Sequence, residues 1–289
     1  MIVDLMSTTT SDGIELDGAF FAPQPGVSPT NAVDAILLAH GSRGNFCMAS
    51  TKHMAEDLQA RGYACLALNS AAHDTVWNNP GDGNNYGNGF EILDRSRLDI
   101  RAGVDYLWDL GYRRIGILGH SMGAVRVTYY SATETDHRVA TVIPVSPVRL
   151  SYSYYMASTD AAEFQSIVQH AGKLEADGKS NELMSVKFPI TQLFSATSYL
   201  DKHGPGERYN LINLAPKITI PMFVLAGTLE THTRLLDMAG DLASAAVNSP
   251  EVRCVIVEGG SHSLANRRQE AAAVVLDWLA SLASKPVEV

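Results

Sequence analysis

Cysteine is scarce in this chain of 289 residues: Cys47, Cys65 and Cys254 are widely scattered, odd in number and form no CxxC pair. That excludes a disulfide framework and a paired-cysteine zinc site, and leaves three small buried hydrophobes as the expectation. Long apolar runs are missing too: none reaches the roughly 18 residues of a membrane helix. The opening MIVDLMSTTTSDG has no basic segment followed by an apolar one, as a secretory signal would. The expectation is a soluble, cytoplasmic protein with no membrane partner. Basic charge is also short. Lys and Arg number 22 against 31 Asp and Glu, a formal net charge of -9, and no Lys/Arg run offsets it, so a phosphate backbone would be repelled and nucleic acid is not an expected partner. No clustered His/Asp signature points to a metal.

What is present is a globular composition, 46% hydrophobic and 18% charged, enough for one full core. The start alternates like a hairpin, Met1 to Thr9 and Ile14 to Ala22 around Ser11-Asp12-Gly13. Short apolar runs follow at Ala35–Ala39, Ala64–Leu68, Ile115–Leu118, Val139–Val145, Met222–Ala226 and Cys254–Val257, each read as a strand covered on both faces. Helical spacing lies between them, as in Ile100, Val104, Leu107 and Trp108, or in Ala271, Val274, Val275, Trp278, Leu279 and Leu282. Alternating strands and helices imply an α/β fold, a mostly parallel central sheet flanked by helices.

Two stretches break the rhythm. Residues 149–217 have no buried-strand run but two helix-like pieces, about 161–176 and 189–199, which reads as a small helical cap inserted before the acid-bearing strand and divides the core into 1–148 and 218–289. The Gly- and Asn-rich segment 71–90 follows a core strand, on the rim where open α/β sheets bind ligands.

The sharpest motif is Gly119-His120-Ser121-Met122-Gly123-Ala124, after one apolar run and before a helical one. In that setting G-x-S-x-G is a nucleophile elbow, whose glycines permit a strained turn that lifts the serine hydroxyl above the sheet. A serine needs a base, and the base needs a carboxylate that fixes its tautomer. Of the five histidines after Ser121 (His137, His170, His203, His232 and His262), only His262 stands in a loop between a late strand and the final amphipathic helix. Glu230, in the turn after Met222–Ala226, is the expected acid, with Asp237 and Asp160 as competitors. The oxyanion donors are expected from the backbone N–H of Ser42, in His40-Gly41-Ser42-Arg43-Gly44, and of Met122. His40, Arg43, Trp77, Arg149, Tyr152 and Tyr155 are candidate substrate contacts, with Arg43 and Arg149 able to hold a substrate carboxylate. The aromatic residues of 149–217, including Phe164, Phe188, Phe194 and Tyr199, are read as packing before ligand contacts.

Through HGSRG, GHSMGA, GTLE and GGSH, in this order across nearly the whole chain, the sequence resembles the α/β-hydrolase superfamily. The resemblance implies an eight-stranded sheet, a lid after the sixth strand and no cofactor. It matches Ser121, Glu230 and His262 to the family's triad, with Glu where Asp is commoner. The expected activity is hydrolysis of an ester, thioester or lactone of a small to medium apolar or aromatic substrate. Carbon–carbon hydrolysis or lyase chemistry on the same residues is the alternative, and a non-catalytic small-molecule receptor the third reading. The oligomeric state is open, a homodimer included.

Overall fold

The computed structural model describes residues 3–27 and 32–283. Its strands are β1 (Asp4–Thr9), β2 (Glu15–Phe21), β3 (Ala35–Ala39), β4 (Ala64–Leu68), β5 (Trp77–Asn78), β6 (Asn85–Tyr86), β7 (Ile115–His120), β8 (Val139–Val145), β9 (Leu183–Val186), β10 (Gln192–Ser195), β11 (Met222–Gly227) and β12 (Val252–Val257). The helices are α1 (Ala49–Gln59), α2 (Ser96–Asp109), α3 (Met122–Thr133), α4 (Tyr152–Met156), α5 (Ala161–Ala176), α6 (Ala196–His203), α7 (Leu211–Leu214), α8 (Met238–Ala245) and α9 (Arg268–Ala283).

Eight strands form one sheet in the order β1-β2-β4-β3-β7-β8-β11-β12. The β1–β2 hairpin is antiparallel and joins β4 antiparallel, while every pair from β4 to β12 is parallel. Met1 and Ile2, the start of the expected first strand, lie outside the described residues. Fully buried strands such as AILLA in β3 and ACLAL in β4 are covered on both faces. One face packs against α2, α3, α7 and α8. The other packs against α1 and α9, where Trp278 stacks on Phe223 at 5.6 Å and its Nε1–H donates to Thr141 Oγ1 at 3.1 Å. β12 departs from the sequence expectation. It is an edge strand whose exposure alternates from Val252 to Ile256, so CVIV is half-covered.

Between β8 and β11 the chain forms α4, α5, the β9–β10 ladder and α6 around a third cluster, in which Tyr155, Phe164, Phe188, Phe194 and Tyr199 pack on one another, before α7 returns to the sheet face. The piece expected as helix at 189–199 begins instead as strand β10, paired antiparallel with β9, and turns helical only at Ala196. Ser195 makes the switch: its hydroxyl accepts from the Ser198 N–H, an N-cap that starts α6. Segment 71–90 contains the two-residue β5–β6 ladder and otherwise no regular strand or α-helix.

Candidate functional site

The site is assembled at the carboxyl ends of β3, β7, β11 and β12. β7 lies between β3 and β8, and its end registers Gly119 against Ala39 and Pro144. The chain then turns into α3 with Ser121 at φ 58° and ψ −117°. This is a left-handed conformation that an L side chain adopts only under constraint. The Ser121 N–H donates to Val145 O at 2.9 Å and holds it there. Close packing explains the two flanking glycines. A methyl on Gly119 would meet Gly123 O at 2.1 Å, and one on Gly123 would meet Ala39 O at 2.2 Å. Only glycine lets helix and strands approach this tightly.

The same device joins the two loops that supply the partners. A methyl on Gly227 would lie 2.1 Å from Gly260 O. This contact brings the turn after β11 against the loop after β12, with Leu229 N–H donating to Gly260 O at 3.0 Å. Glu230 and His262 therefore face each other. His262 Nε2 lies 3.0 Å from Ser121 Oγ, and His262 Nδ1 lies 3.2 Å from Glu230 Oε1. Ser121 and Glu230 are 6% and 7% exposed, while the His262 side chain between them is 37% exposed. Asp237 and Asp160, the competing acids, stand outside this chain of contacts; Asp237 is an exposed residue in the left-handed region ahead of α8.

His262 is steadied from a third side by His120, whose Nε2–H donates to the His262 carbonyl at 2.8 Å. Burial, and then the neighbouring His262 charge, holds the His120 imidazole down at about 4, so it is a neutral donor. Nothing in the spacing marked this residue beyond its place in the elbow.

Ser42 and Met122 flank Ser121. Met122 is the first residue of α3, where an N–H has no intrahelical acceptor, and the Ser42 N–H donates to no backbone acceptor among the described residues. Gly41 sits against the serine: a methyl there would be 3.1 Å from Ser121 Cβ. His40 is fully buried beneath this loop. Its Nδ1–H donates to Gly41 O at 2.8 Å and its Nε2 accepts from Ser70 N–H at 3.1 Å. Burial and the Arg126 charge push its imidazole down to about 3, so it is neutral.

Below the loop runs a buried ionic network that sequence reasoning missed. Arg126 Nε contacts Glu91 Oε1 at 2.7 Å, Lys202 Nζ contacts Glu91 Oε2 at 2.8 Å, and Arg126 Nη1 donates to His40 O at 2.8 Å. Burial would raise the Glu91 carboxyl, but the Arg126 and Lys202 charges outweigh it and hold the group at about 2. The members stand far apart in the chain, on the segment before α2, on α3 and on α6, so no local spacing announces them.

A cleft of about 480 Å³ opens over Ser121 and His262, walled by Arg43, Met48, Ile190, Gln192, Arg234 and Leu235 among others. Of the expected substrate contacts only Arg43 reaches it. His40 is sealed under the loop. Trp77 stacks on His73 and Tyr86, with its Nε1–H given to Ala71 O. Arg149 is buried in an ion pair with Asp241 at 2.8 Å. Tyr152 and Tyr155 pack on Phe164, and the Tyr155 hydroxyl donates to Arg149 O. Arg234 is on the wall and was not foreseen, because its burial depends on elements distant in sequence. No group of three or more His, Cys, Asp or Glu suited to a metal occurs among the described residues, and no described helix is long and apolar enough to cross a membrane.

Among solved structures, Est1E from Butyrivibrio proteoclasticus superimposes with a TM-score of 0.66 at 18% identity, over 97% of this chain and 99% of that one. The Pyrococcus furiosus esterase Pf2001 gives 0.63 at 18%, over 98% and 93%. The alpha/beta hydrolase GrgF from Penicillium sp. sh18 gives 0.72 at 16%, over 99% and 100%. At these identities the likeness is one of fold. Among curated proteins no sequence matches significantly. The model of the alpha/beta hydrolase family matches residues 36–276, from β3 into α9. With the eight-stranded sheet and the serine elbow at its centre, this places the chain in the alpha/beta hydrolase family.

Proposed function

We propose that the protein is a serine hydrolase that cleaves an ester, thioester or lactone of a small to medium substrate through an acyl-enzyme on Ser121. The observation that carries this reading is the continuous chain Ser121 Oγ, His262 Nε2, His262 Nδ1, Glu230 Oε1, with links of 3.0 and 3.2 Å. With Glu230 accepting from Nδ1–H, the neutral imidazole presents a bare Nε2 to the serine hydroxyl. Ser121 Oγ attacks the substrate carbonyl as His262 takes its proton, and Glu230 stabilises the imidazolium. The carbonyl oxygen becomes an oxyanion facing the Ser42 and Met122 N–H groups at the α3 N-terminus, where the helix dipole adds to their pull. The tetrahedral adduct then collapses: the alcohol or thiol leaves with the proton from His262, and water repeats the sequence to free the acid. The cleft volume suits such a substrate, and the fold shared with the Pyrococcus furiosus esterase Pf2001 supports the assignment.

Turnover of p-nitrophenyl esters from acetate to decanoate by the wild type and by Ser121→Ala tests it. The reading requires activity with a chain-length optimum, lost in the variant. A wild type inactive on every ester would refute it and bring carbon–carbon cleavage forward, for which β-diketones are the substrates to try.

A further inference from the structure

Three arginines are buried among the described residues, and two of them are neutralised: Arg126 by Glu91 at 2.7 Å and Arg149 by Asp241 at 2.8 Å. The third, Arg234, is 7% exposed; like Arg126 and Arg149 it buries one guanidinium nitrogen without a partner, its Nε, but unlike them it has no ion pair among the described residues. No carboxylate among the described residues neutralises it. Burial above all lowers its affinity for the proton; Tyr155 works against this, and the charge of a second cation, Arg43, adds to it. Nearby His203 is buried and kept neutral, with Arg234 one of the charges that disfavour its protonation. The Tyr155 hydroxyl is already given to Arg149 O. Glu230 is four residues away in sequence, but its carboxylate belongs to His262.

The side chain is held in place by its backbone. Arg234 O accepts from Arg149 N–H at 2.8 Å, and Arg234 N–H donates to His232 Nδ1 at 3.1 Å. Arg234 lines the cleft that contains Ser121 and His262, and Arg43 lines it as well. A guanidinium withdrawn from water without a counter-charge is unfavourable, and an anion entering the cleft would relieve that cost. The planar fork of a guanidinium matches the two oxygens of a carboxylate.

We propose that the substrate is itself an anion, an ester or thioester bearing a free carboxylate that docks on Arg234 with Arg43 at the rim, while Ser121 attacks the ester carbonyl. One carboxylate offsets one buried guanidinium, and the apolar side chains of Met48, Ile190 and Leu235 face the carbon chain between the two ends. The proposal rests on the hydrolase reading of Ser121 and adds the charge of the substrate to it.

The test compares half-esters with neutral esters of equal length: monomethyl glutarate with methyl pentanoate, and monomethyl adipate with methyl hexanoate, followed by acid release. The wild type is expected to favour a half-ester at least tenfold in kcat/KM. Arg234→Gln should bring that ratio near one, and Arg234→Lys should keep part of it. A wild-type ratio at or below one, or an unchanged ratio in Arg234→Gln, overturns the proposal. If no ester is turned over, the hydrolase reading fails, and the anion site is still decided by binding. Glutarate, adipate and phthalate are titrated calorimetrically into Ser121→Ala with Arg, Lys or Gln at position 234. At least tenfold weaker binding with Gln, and an intermediate value with Lys, supports the site. No binding of any dicarboxylate, or equal binding of inorganic phosphate, contradicts it.

Discussion

Arg126 donates to the carbonyl oxygen of His40 over 2.8 Å, which ties the helix behind the candidate nucleophile to the loop that carries the candidate oxyanion donor. Through Glu91 the same guanidinium is coupled to Lys202, on α6 in the inserted segment. The three charges form one unit joining the elbow helix, the loop and the insertion.

Removing the shared acid is therefore expected to be severe. Glu91→Ala leaves two buried cations without their shared counter-charge and should cost about 3–5 kcal/mol, read by denaturant unfolding. Lys202→Met leaves the Arg126–Glu91 pair intact and should cost clearly less. Equal losses in the two variants would mean that the network is not coupled in this way.

Glycine replacement should separate by location. Gly119→Ala and Gly123→Ala force a methyl to about 2 Å from a carbonyl oxygen and are expected to abolish soluble expression or activity. Gly172→Ala, in the middle of α5 with nothing within 4 Å, should instead stabilise by up to about 1 kcal/mol. Thermal unfolding and soluble yield distinguish the two.

For the acid, Glu230→Gln keeps the shape of the side chain but lets it donate to His262 and favour the wrong tautomer. A fall of about a thousandfold or more in kcat is expected, with partial retention in Glu230→Asp and near-normal rates in Asp237→Asn. A large loss in Asp237→Asn with a mild one in Glu230→Gln would reassign the acid.

Acid sensitivity follows from His40. Burial and the Arg126 charge keep it neutral, its value lowered from 6.5 to about 3, so the unfolded chain binds a proton that the folded one refuses. The stability this neutral imidazole contributes is complete above about pH 6.5 and declines as pH falls toward 3, by about 1.4 kcal/mol per unit where the unfolded imidazole is charged. Glu91, lowered from 4.5 to about 2, contributes fully above its ordinary range, so the interval from pH 6 to 5 reports histidines. His120 and His203 act in the same direction. The readout is thus the difference in slope between wild type and His40→Asn, with the variant flatter. Equal slopes would show that His40 is not the buried neutral group described.

The parallel strands were legible because burial on both faces leaves an uninterrupted apolar run: AILLA, ACLAL and VATVIPV coincide with β3, β4 and β8. CVIV reads the same way yet lies on the open edge, since no neighbour on its far side is encoded in its own residues. At 189–199 the apolar spacing cannot tell strand from helix, and the N-cap at Ser195 decides where one ends. Ser121, His262 and Glu230, which the structure brings into one chain of contacts, stood out in the sequence because each follows a strand end. The contrast between Arg149 and Arg234 did not. Both are single arginines in irregular segments, and only the fold pairs one with Asp241 and leaves the other facing the cleft.

The most direct measurement is covalent labelling with a fluorophosphonate, followed by intact mass and peptide mapping, in wild type, Ser121→Ala and His262→Ala. One adduct per chain is expected, on Ser121, absent from the serine variant and strongly slowed in the histidine variant. No adduct on the wild type, or an adduct mapped to another residue, would contradict it.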